Sequence, residues 1–257
     1  MLIAIDIGNS AIKIGVYKNH PTNFDIEVSS IEKDYDSFSK SLSLIIKSSR
    51  SKPEVIIGSV VPSLDEPVIQ LFREKFRIKP MIVDVKLKTG VTFNYNPIDA
   101  IGADRIADSV AVNNLYQNNL TKIVVDFGTA TVFEIISSKG EFLGGSIFPG
   151  LEVSSEALFK KTSLLEKINF EEIGSDEKII GNSTNQSLKS SLFWGYISLT
   201  EGMIDKILNE LNTPRSKAFV IGTGGFASLI SNQTLVFDKI EPNLTLEGLR
   251  IIYELNK

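Results

Sequence analysis

The order of apolar and polar positions along this 257-residue chain contains the same pattern twice. Apolar runs at residues 1–5 and 123–125 are each followed by Asp, one apolar residue and Gly. Continuous runs rich in Ile and Val are typical of buried strands. The apolar residues at 12–16 and at 132–136 then predict a second strand in each copy. The pattern indicates an internal duplication.

The remaining elements of the first half follow from the period of its apolar residues. Residues 24–28 alternate and predict a half-buried third strand that completes a meander. Apolar residues at helical spacing predict helices at 38–46 and 68–76, and β-branched residues predict strands at 55–61 and 81–83. The first half therefore has the predicted order βββαβαβ.

The second half repeats the meander and then becomes mainly helical. Strands are predicted at residues 123–126, 132–136 and 142–147, and the longest helix between residues 187 and 211. A strand at 218–222 and a helix at 244–255 close the chain. Because the duplication favours two cores, we expect an α/β protein with domains at residues 1–117 and 118–257.

Each copy of the pattern ends its first strand in an Asp-x-Gly turn, with Asp6 and Gly8 in the first and Asp126 and Gly128 in the second. Glycine permits the bend and a close approach of ligand, and the adjoining N–H groups and hydroxyls can bind phosphate oxygens. A carboxylate would repel bare phosphate unless it orients hydrated Mg²⁺ or another cation. A single such turn also serves ordinary hairpins, but two in matching contexts predict a nucleotide–metal clamp.

Composition excludes several classes of function. The net charge is −4, and no Lys/Arg run is dense enough to predict binding to nucleic acid or an anionic membrane. Without cysteine the chain has no disulfide, thiolate metal site or cysteine nucleophile. Its one histidine, His20, precedes a proline in a loop-like segment and predicts a solvated turn residue. No apolar run has the length of a membrane span, so we expect a cytoplasmic protein.

An acid and a base adjoin between the two turns, at Asp104 and Arg105. Asp104 precedes a predicted helix and could serve only as its cap. The alternative is a general base for a substrate hydroxyl, with Arg105 binding an anionic group such as a carboxylate. Lys13 could reach a phosphate or remain a solvated strand residue, and the glycine-rich residues 222–225 could admit adenosine or merely join a strand to a helix.

The long helix predicted at residues 187–211 also indicates assembly. Its apolar residues form more than one stripe, and surplus apolar surface predicts a partner, unless the helix is buried on all sides within its own domain. The residues concerned are Leu188, Leu192, Phe193, Trp194, Tyr196 and Leu199.

The ordered set of motifs resembles the type III pantothenate kinases, members of the acetate and sugar kinase/Hsp70/actin superfamily. Residues 6–10 resemble the first phosphate motif, and residues 126–131 resemble the second. The resemblance to the pantothenate segment lies in Lys88-Thr-Gly90, Tyr95 and residues 102–105. Gly144-Gly145, Pro149-Gly150, Gly222-Thr-Gly-Gly225 and Leu244-Thr-Leu-x-Gly248-Leu249 complete the order.

This resemblance implies a duplicated actin-like (ribonuclease H-like) ATPase fold, with two βββαβα-type domains flanking an ATP cleft. It implies phosphorylation of pantothenate by ATP, the first step towards coenzyme A, with Asp104 as base, Mg²⁺ bound by ATP near Asp6, and K⁺ or NH₄⁺ beside Asp126. It also implies a homodimer with active sites near the interface. ATP contacts are expected at Asp6, Ile7, Gly8, Asn9, Ser10, Ala11, Ile12, Lys13 and Thr129, and pantothenate contacts at Tyr95, Gly102, Ala103, Asp104, Arg105 and Thr184.

Some positions depart from the family pattern. Ser10 replaces the usual Thr and keeps its hydroxyl, Val132-Phe-Glu134 stands where Thr-Val-Asp is common, and Ser191 replaces a common Gly. Two other functions remain open at this point. One is a kinase for another small hydroxyl substrate, and the other is a non-catalytic nucleotide-binding regulator on the same scaffold.

Overall fold

The computed structural model describes residues 1–18, 26–32, 34–49, 51–116, 119–174 and 177–257. His20 and Phe24, for which the sequence predicts a turn and a strand, lie outside these residues. The chain forms two compact units, one of Met1–Gln117 with Leu244–Lys257 and one of Asn118–Asn243. Residues 244–257, predicted in the second domain, therefore belong to the first unit.

The first unit is built on a five-stranded sheet in the order β3-β2-β1-β4-β5. Neighbouring β1, β2 and β3 are antiparallel, whereas β4 and β5 run parallel to β1. The predicted meander and the strands that follow it are confirmed in this sheet. Its strands are β1 (Leu2–Ile7), β2 (Ala11–Tyr17), β3 (Glu27–Glu32), β4 (Glu54–Ser59) and β5 (Met81–Ile82). The first unit also contains a short strand outside this sheet, β6 (Thr92–Phe93).

The third strand differs from its prediction. It begins after Ile26, and Val28 is exposed, whereas Ile31 packs against the core. Strand β3 is the edge of this sheet and most of its residues are exposed, so Val28 does not lie on a buried face as the alternation predicted.

The second unit contains a sheet whose strands lie in the order β11-β10-β7-β8-β9. The antiparallel pairs β7–β8 and β8–β9 repeat the pairs β1–β2 and β2–β3 of the first unit, and β10 runs parallel to β7. These strands are β7 (Thr121–Phe127), β8 (Ala130–Ile136), β9 (Glu141–Pro149), β10 (Ala218–Thr223) and β11 (Lys239–Ile240).

The helices follow the predicted order, with one addition, α4, which the sequence analysis did not place. No described helix is long and apolar enough to cross a membrane. The helices are α1 (Tyr35–Ser48), α2 (Pro62–Gln70, continued by a wider helical turn over Leu71–Lys75), α3 (Ala103–Leu115), α4 (Leu151–Lys161), α5 (Thr184–Glu210), α6 (Ala227–Ser231) and α7 (Leu244–Asn256).

Helix α7 completes the first unit through specific polar contacts as well as apolar packing. The hydroxyl of Tyr17 on β2 donates to Glu247 Oε1 at 2.8 Å, and Arg250 Nε donates to Glu247 Oε2 at 3.0 Å. Burial and the Glu247 carboxylate both raise the pKa of Tyr17. The last residues of the chain are thus fixed to the strand that follows the first turn.

Helix α5 lies in the core of the second unit. Leu188, Leu192, Phe193 and Tyr196 belong to its buried cluster, and Trp194 and Leu199 pack against that cluster. Four of these six side chains are therefore buried within their own unit and two are partly covered there, so they do not by themselves indicate a partner, and the homodimer stays a prediction. Exposed apolar side chains occur instead just before α5, at Ile179 and Ile180.

Candidate active site

The first turn joins β1 to β2 at the first Asp-x-Gly sequence. Ile7 pairs with Ile12, and the Gly8 N–H donates to Ala11 O at 3.1 Å. The two isoleucine side chains are buried, so they anchor the turn, whereas Asn9 and Ser10 are exposed. The polar atoms available to a ligand are those of the turn backbone and of these two exposed residues.

Asp6 and Lys13 form a directly opposed pair in the β1–β2 ladder. Side chains of such a pair project from the same face of the sheet, with Cβ atoms roughly 4.5–5.5 Å apart. The carboxylate at the first turn thus has an ammonium group on the opposite strand.

The second turn joins β7 to β8 and is one residue shorter than the first. Phe127 pairs with Thr131, and the Gly128 N–H donates to Ala130 O at 3.0 Å. Thr129 is exposed at the tip. The residue opposite Asp126 is Val132, so the second turn has no counterpart to Lys13 in this register. The two predicted turns are present, but their electrostatic surroundings differ.

The glycine-rich residues that follow β10 lie against the second turn. Thr223 is the parallel neighbour of Asp126, and Gly224 has a φ of +88°. A Cβ at Gly224 would lie 2.3 Å from Asp126 Oδ1, so both the backbone conformation and the close approach require glycine. The space beside Gly225 is open. Two motifs that are distant in sequence thus meet around one carboxylate within the second unit.

Two buried ionisable residues, Lys122 and Glu134, lie on the same face of the sheet as Asp126. The sequence analysis did not identify either of them as a site residue. Glu134 pairs with Val124, and Lys122 precedes Val124 by two residues. Burial lowers the pKa of Lys122. Because residues two apart on a strand share a face, Lys122, Asp126 and Glu134 lie on one side of the sheet.

Asp104 lies in the first turn of α3, whose N-cap residue is Gly102. Its Oδ1 accepts the backbone N–H of Arg105 at 2.7 Å. The carboxylate therefore satisfies one N–H of the helix start, although it is not the N-cap residue itself. Burial raises the pKa of Asp104 above its ordinary value, and the Arg105 N–H and guanidinium only partly offset this effect. A raised pKa makes the carboxylate a stronger base.

Arg105 is a buried cation with an aromatic neighbour. Its guanidinium carbon lies 5.4 Å from the centre of the Tyr95 ring, within the range of a cation–π contact. A cavity of about 400 Å³ opens beside the same helix start and is lined by Gly102, Ala103 and residues that follow β4 and β5. Gly102, Ala103 and Arg105 thus adjoin Asp104 in the chain, and Tyr95 contacts Arg105, whereas the lining of this cavity includes only Gly102 and Ala103 of these residues.

The segment that leads to Tyr95 is tied to two helices. Asn256 on α7 accepts from the Lys88 N–H at 2.9 Å and donates to Lys88 O at 2.8 Å. Asn113 on α3 donates to Gly90 O at 3.0 Å. Sequence reasoning missed both asparagines, because nothing local in the chain marks contacts over 23 and 168 residues.

Thr184 is the first residue of α5 and is exposed. The preceding Ser183 is the N-cap and accepts from the Gln186 N–H at 3.2 Å, while Gln186 accepts from the Asn182 N–H at 3.1 Å. This capping arrangement fixes the start of the helix. Thr184 belongs to the second unit, whereas the other predicted substrate residues belong to the first.

Among the described residues, no group of three or more His, Cys, Asp or Glu could hold a metal. Mg²⁺ in nucleotide sites is bound largely by phosphates and water, with one or two carboxylates. The single carboxylate at each turn fits this type of site.

The family model for type III pantothenate kinases matches residues 2–206 of the chain. The chain belongs to the type III pantothenate kinase family. It is therefore a phosphotransferase, and the predicted enzyme class is confirmed. A type III pantothenate kinase from Finegoldia magna is 38% identical over 262 aligned residues, which cover 100% of this chain and 98% of the relative.

Two solved structures share the fold. The activator of 2-hydroxyisocaproyl-CoA dehydratase from Clostridium difficile, with bound ADPNP, has a TM-score of 0.53 at 12% identity and covers 99% of this chain and 95% of its own. A protein described as an N-acetylmannosamine kinase from Listeria monocytogenes has a TM-score of 0.50 at 14% identity, with coverages of 99% and 98%. With the two sheets, these likenesses confirm the duplicated actin-like α/β fold of this type III pantothenate kinase.

Proposed function

We propose that Asp104 is the general base with which this pantothenate kinase transfers the γ-phosphoryl group of ATP to the hydroxyl of pantothenate. The products are 4'-phosphopantothenate and ADP, and the reaction is the first step of coenzyme A synthesis. The observation that carries the proposal is the Asp104 carboxylate at the start of α3, which accepts the Arg105 N–H at 2.7 Å next to a buried guanidinium, and burial also raises its pKa. The family gives the reaction, and the proposal assigns residues to it.

The transfer needs little covalent help from the protein. Asp104 accepts the proton of the substrate hydroxyl while the hydroxyl oxygen forms a bond to the γ-phosphorus. The bond between the γ-phosphorus and the bridging oxygen of ADP breaks in the same step. The protonated carboxyl then releases that proton to water. Because the carboxylate is already held by the Arg105 N–H, it does not have to be ordered when substrate binds.

The substrate pocket in this proposal is centred on Arg105, whose guanidinium binds the pantothenate carboxylate. Tyr95 holds that guanidinium in place by the cation–π contact. Gly102 and Ala103 directly precede Asp104 in the chain, and their small size leaves room for substrate beside it. Thr184 contributes a hydroxyl from the start of α5.

ATP phosphates are assigned to the two turns. In the first, N–H groups and polar side chains of residues 6–13 receive phosphate oxygens, with Ile7 and Ile12 acting through backbone position. Lys13 adds a positive charge on the face of Asp6. In the second turn, the exposed hydroxyl of Thr129 binds ATP.

The cations are assigned to the two turns by the family resemblance. Asp6 would hold the Mg²⁺ of Mg²⁺·ATP through water, and the metal would neutralise developing phosphate charge. Asp126 would hold a monovalent cation, K⁺ or NH₄⁺, at the second turn.

We further propose a cytoplasmic homodimer in which Thr184 lies near the interface. Ile179 and Ile180, 70% and 84% exposed, precede Thr184, and Leu164 is 88% exposed in the same unit. Adjacent exposed apolar side chains such as Ile179 and Ile180 support this proposal if they form part of a larger apolar patch.

Competition between substrates tests the function. The purified protein receives ATP, Mg²⁺ and K⁺ with pantothenate, several sugars and short carboxylic acids, and products are identified by mass. We expect phosphopantothenate to dominate. Phosphorylation of another hydroxyl compound in preference to pantothenate, or nucleotide binding without any product, would contradict the proposal.

A further inference from the structure

The C-terminal end of β9 lies against the second turn. The Gly150 N–H donates to Thr129 O at 3.0 Å. A Cβ at Gly150 would lie 2.4 Å from both Gly128 O and Thr129 O, so the backbone approaches as closely as glycine allows. Residue 150 therefore forms the wall behind the tip of the turn. A shift of this wall would carry Thr129 with it.

Helix α5 holds the backbone at Pro149 and Gly150 through the phenol group of Tyr196. The Tyr196 hydroxyl donates to Pro149 O at 2.7 Å, next to Gly150 in the chain. A phenol carries one hydrogen, so the Ser154 hydroxyl, 2.6 Å away on α4, must donate to the Tyr196 oxygen. Burial raises the pKa of Tyr196, and the phenol stays protonated at neutral pH.

We propose that Tyr196 is a positioning residue for ATP, which fixes the second phosphate turn through Pro149 and Gly150. The hydrogen bonds run from Ser154 to Tyr196, from Tyr196 to Pro149, and from Gly150 to Thr129. This inference rests on the proposed role of Thr129 in binding ATP. It adds a residue that touches neither nucleotide nor substrate and acts only on the nucleotide side.

Tyr196→Phe tests the proposal because it keeps the ring in the core and removes only the hydroxyl. The variant loses the hydrogen bonds to Pro149 and from Ser154, and only the first reaches the turn. Loss of that bond predicts a rise of about fivefold in the KM for ATP and an equal loss of affinity for Mg²⁺·ADP in calorimetry. The KM for pantothenate stays within about twofold of wild type. Ser154→Ala, which removes the outer donor, produces a smaller change in the same direction.

The matched control is Thr200→Val on the same helix. The Thr200 hydroxyl donates to Tyr196 O at 2.7 Å, so this variant also loses a buried hydroxyl and one hydrogen bond, but not one that reaches the turn. It should lower stability without changing either KM. If Tyr196→Phe does not fold, Ser154→Ala carries the test with the same control.

A double variant locates the effect. In a Thr129→Ala background the contact to ATP is already lost, so Tyr196→Phe should weaken Mg²⁺·ADP by less than about twofold further. A full fivefold loss in that background, equal rises in both KM values, or wild-type affinity for Mg²⁺·ADP in Tyr196→Phe would overturn the proposal. Failure of the proposed function is separate, since it would appear as absence of phosphopantothenate with the wild-type protein.

Discussion

The substitution Asp104→Asn tests whether Asp104 is a catalytic base or only a residue that caps the start of α3. The amide keeps an oxygen that can accept the Arg105 N–H, the bond that measures 2.7 Å in the wild type. The side chain also keeps its size at the start of α3. What the substitution removes is the negative charge and with it the ability to take a proton.

The expected fall in turnover follows from comparing two effects, the loss of a general base and the loss of a hydrogen bond at the helix start. Loss of a general base lowers turnover by roughly 10²- to 10⁴-fold, which is about 2.7 to 5.5 kcal/mol of activation free energy. Loss of one hydrogen bond at the helix start would cost about 1 kcal/mol. Because Asn retains that bond, we expect kcat to fall at least about a hundredfold, with the affinity for ATP largely kept.

Stability should change in the opposite direction. Burial raises the folded-state pKa of Asp104, so the folded protein disfavours the ionised carboxyl. The stability that this group contributes is present below its unfolded pKa and is lost as pH rises through the raised folded pKa. At pH 7 the neutral Asn avoids this cost, and the variant should be at least as stable as wild type.

The pH profile provides a second measurement. In the wild type, kcat/KM for pantothenate should fall at acid pH as Asp104 becomes protonated, with a midpoint above about 3.9, the ordinary pKa of aspartate. This acid limb should disappear in Asp104→Asn.

Steady-state and single-turnover assays with ATP and pantothenate measure the change directly. Asp36→Asn is the control, because Asp36 is exposed and occupies the same second position of α1 that Asp104 occupies in α3. It should leave kcat unchanged. If Asp104→Asn turns over within a few-fold of wild type and keeps the acid limb, the carboxylate serves the helix start and the mechanism is wrong.

Three further predictions concern the turns and assembly. Asp6→Ala and Asp126→Ala should both weaken use of Mg²⁺·ATP, but only the second should alter the K⁺ titration; an unchanged titration with activity retained would remove the cation from Asp126. Mixing inactive Asp104→Asn and Thr184→Arg subunits should restore roughly a quarter of wild-type activity if each pocket uses both subunits. No recovery after verified subunit exchange, or a monomer in sedimentation, would refute the shared pocket. Gly224→Ala should lower the melting temperature and ATP affinity together, because its Cβ would lie 2.3 Å from Asp126 Oδ1; wild-type values of both would show that this close approach is unimportant.

The sequence predicted the elements that local pattern determines. The apolar runs before Asp6 and Asp126 form the strands β1 and β7. The residues before Leu211, whose apolar positions have helical spacing, form α5. The adjacency of Asp104 and Arg105 also follows from the chain itself. Each of these features depends on residues close in sequence.

Features that depend on distant contacts could not be predicted in this way. An apolar stripe does not say which core it covers, so the pattern could not show that α5 packs mainly within the second unit or that α7 belongs to the first. The close approaches of Gly150 and Gly224 to the second turn arise from packing. The one-residue difference between the turns appears only in the strand register, Ile7 with Ile12 against Phe127 with Thr131.

The placement of α7 has a consequence for biosynthesis. Ribosomes deliver the chain from its N-terminal end, and domains generally fold as units during synthesis. The first unit cannot do so here, because Glu247 and Asn256, which bind Tyr17 and Lys88, emerge only after the entire second unit. The second unit, which is continuous in sequence, can fold first, and the pantothenate segment acquires its final contacts only after residues 244–257 have been made.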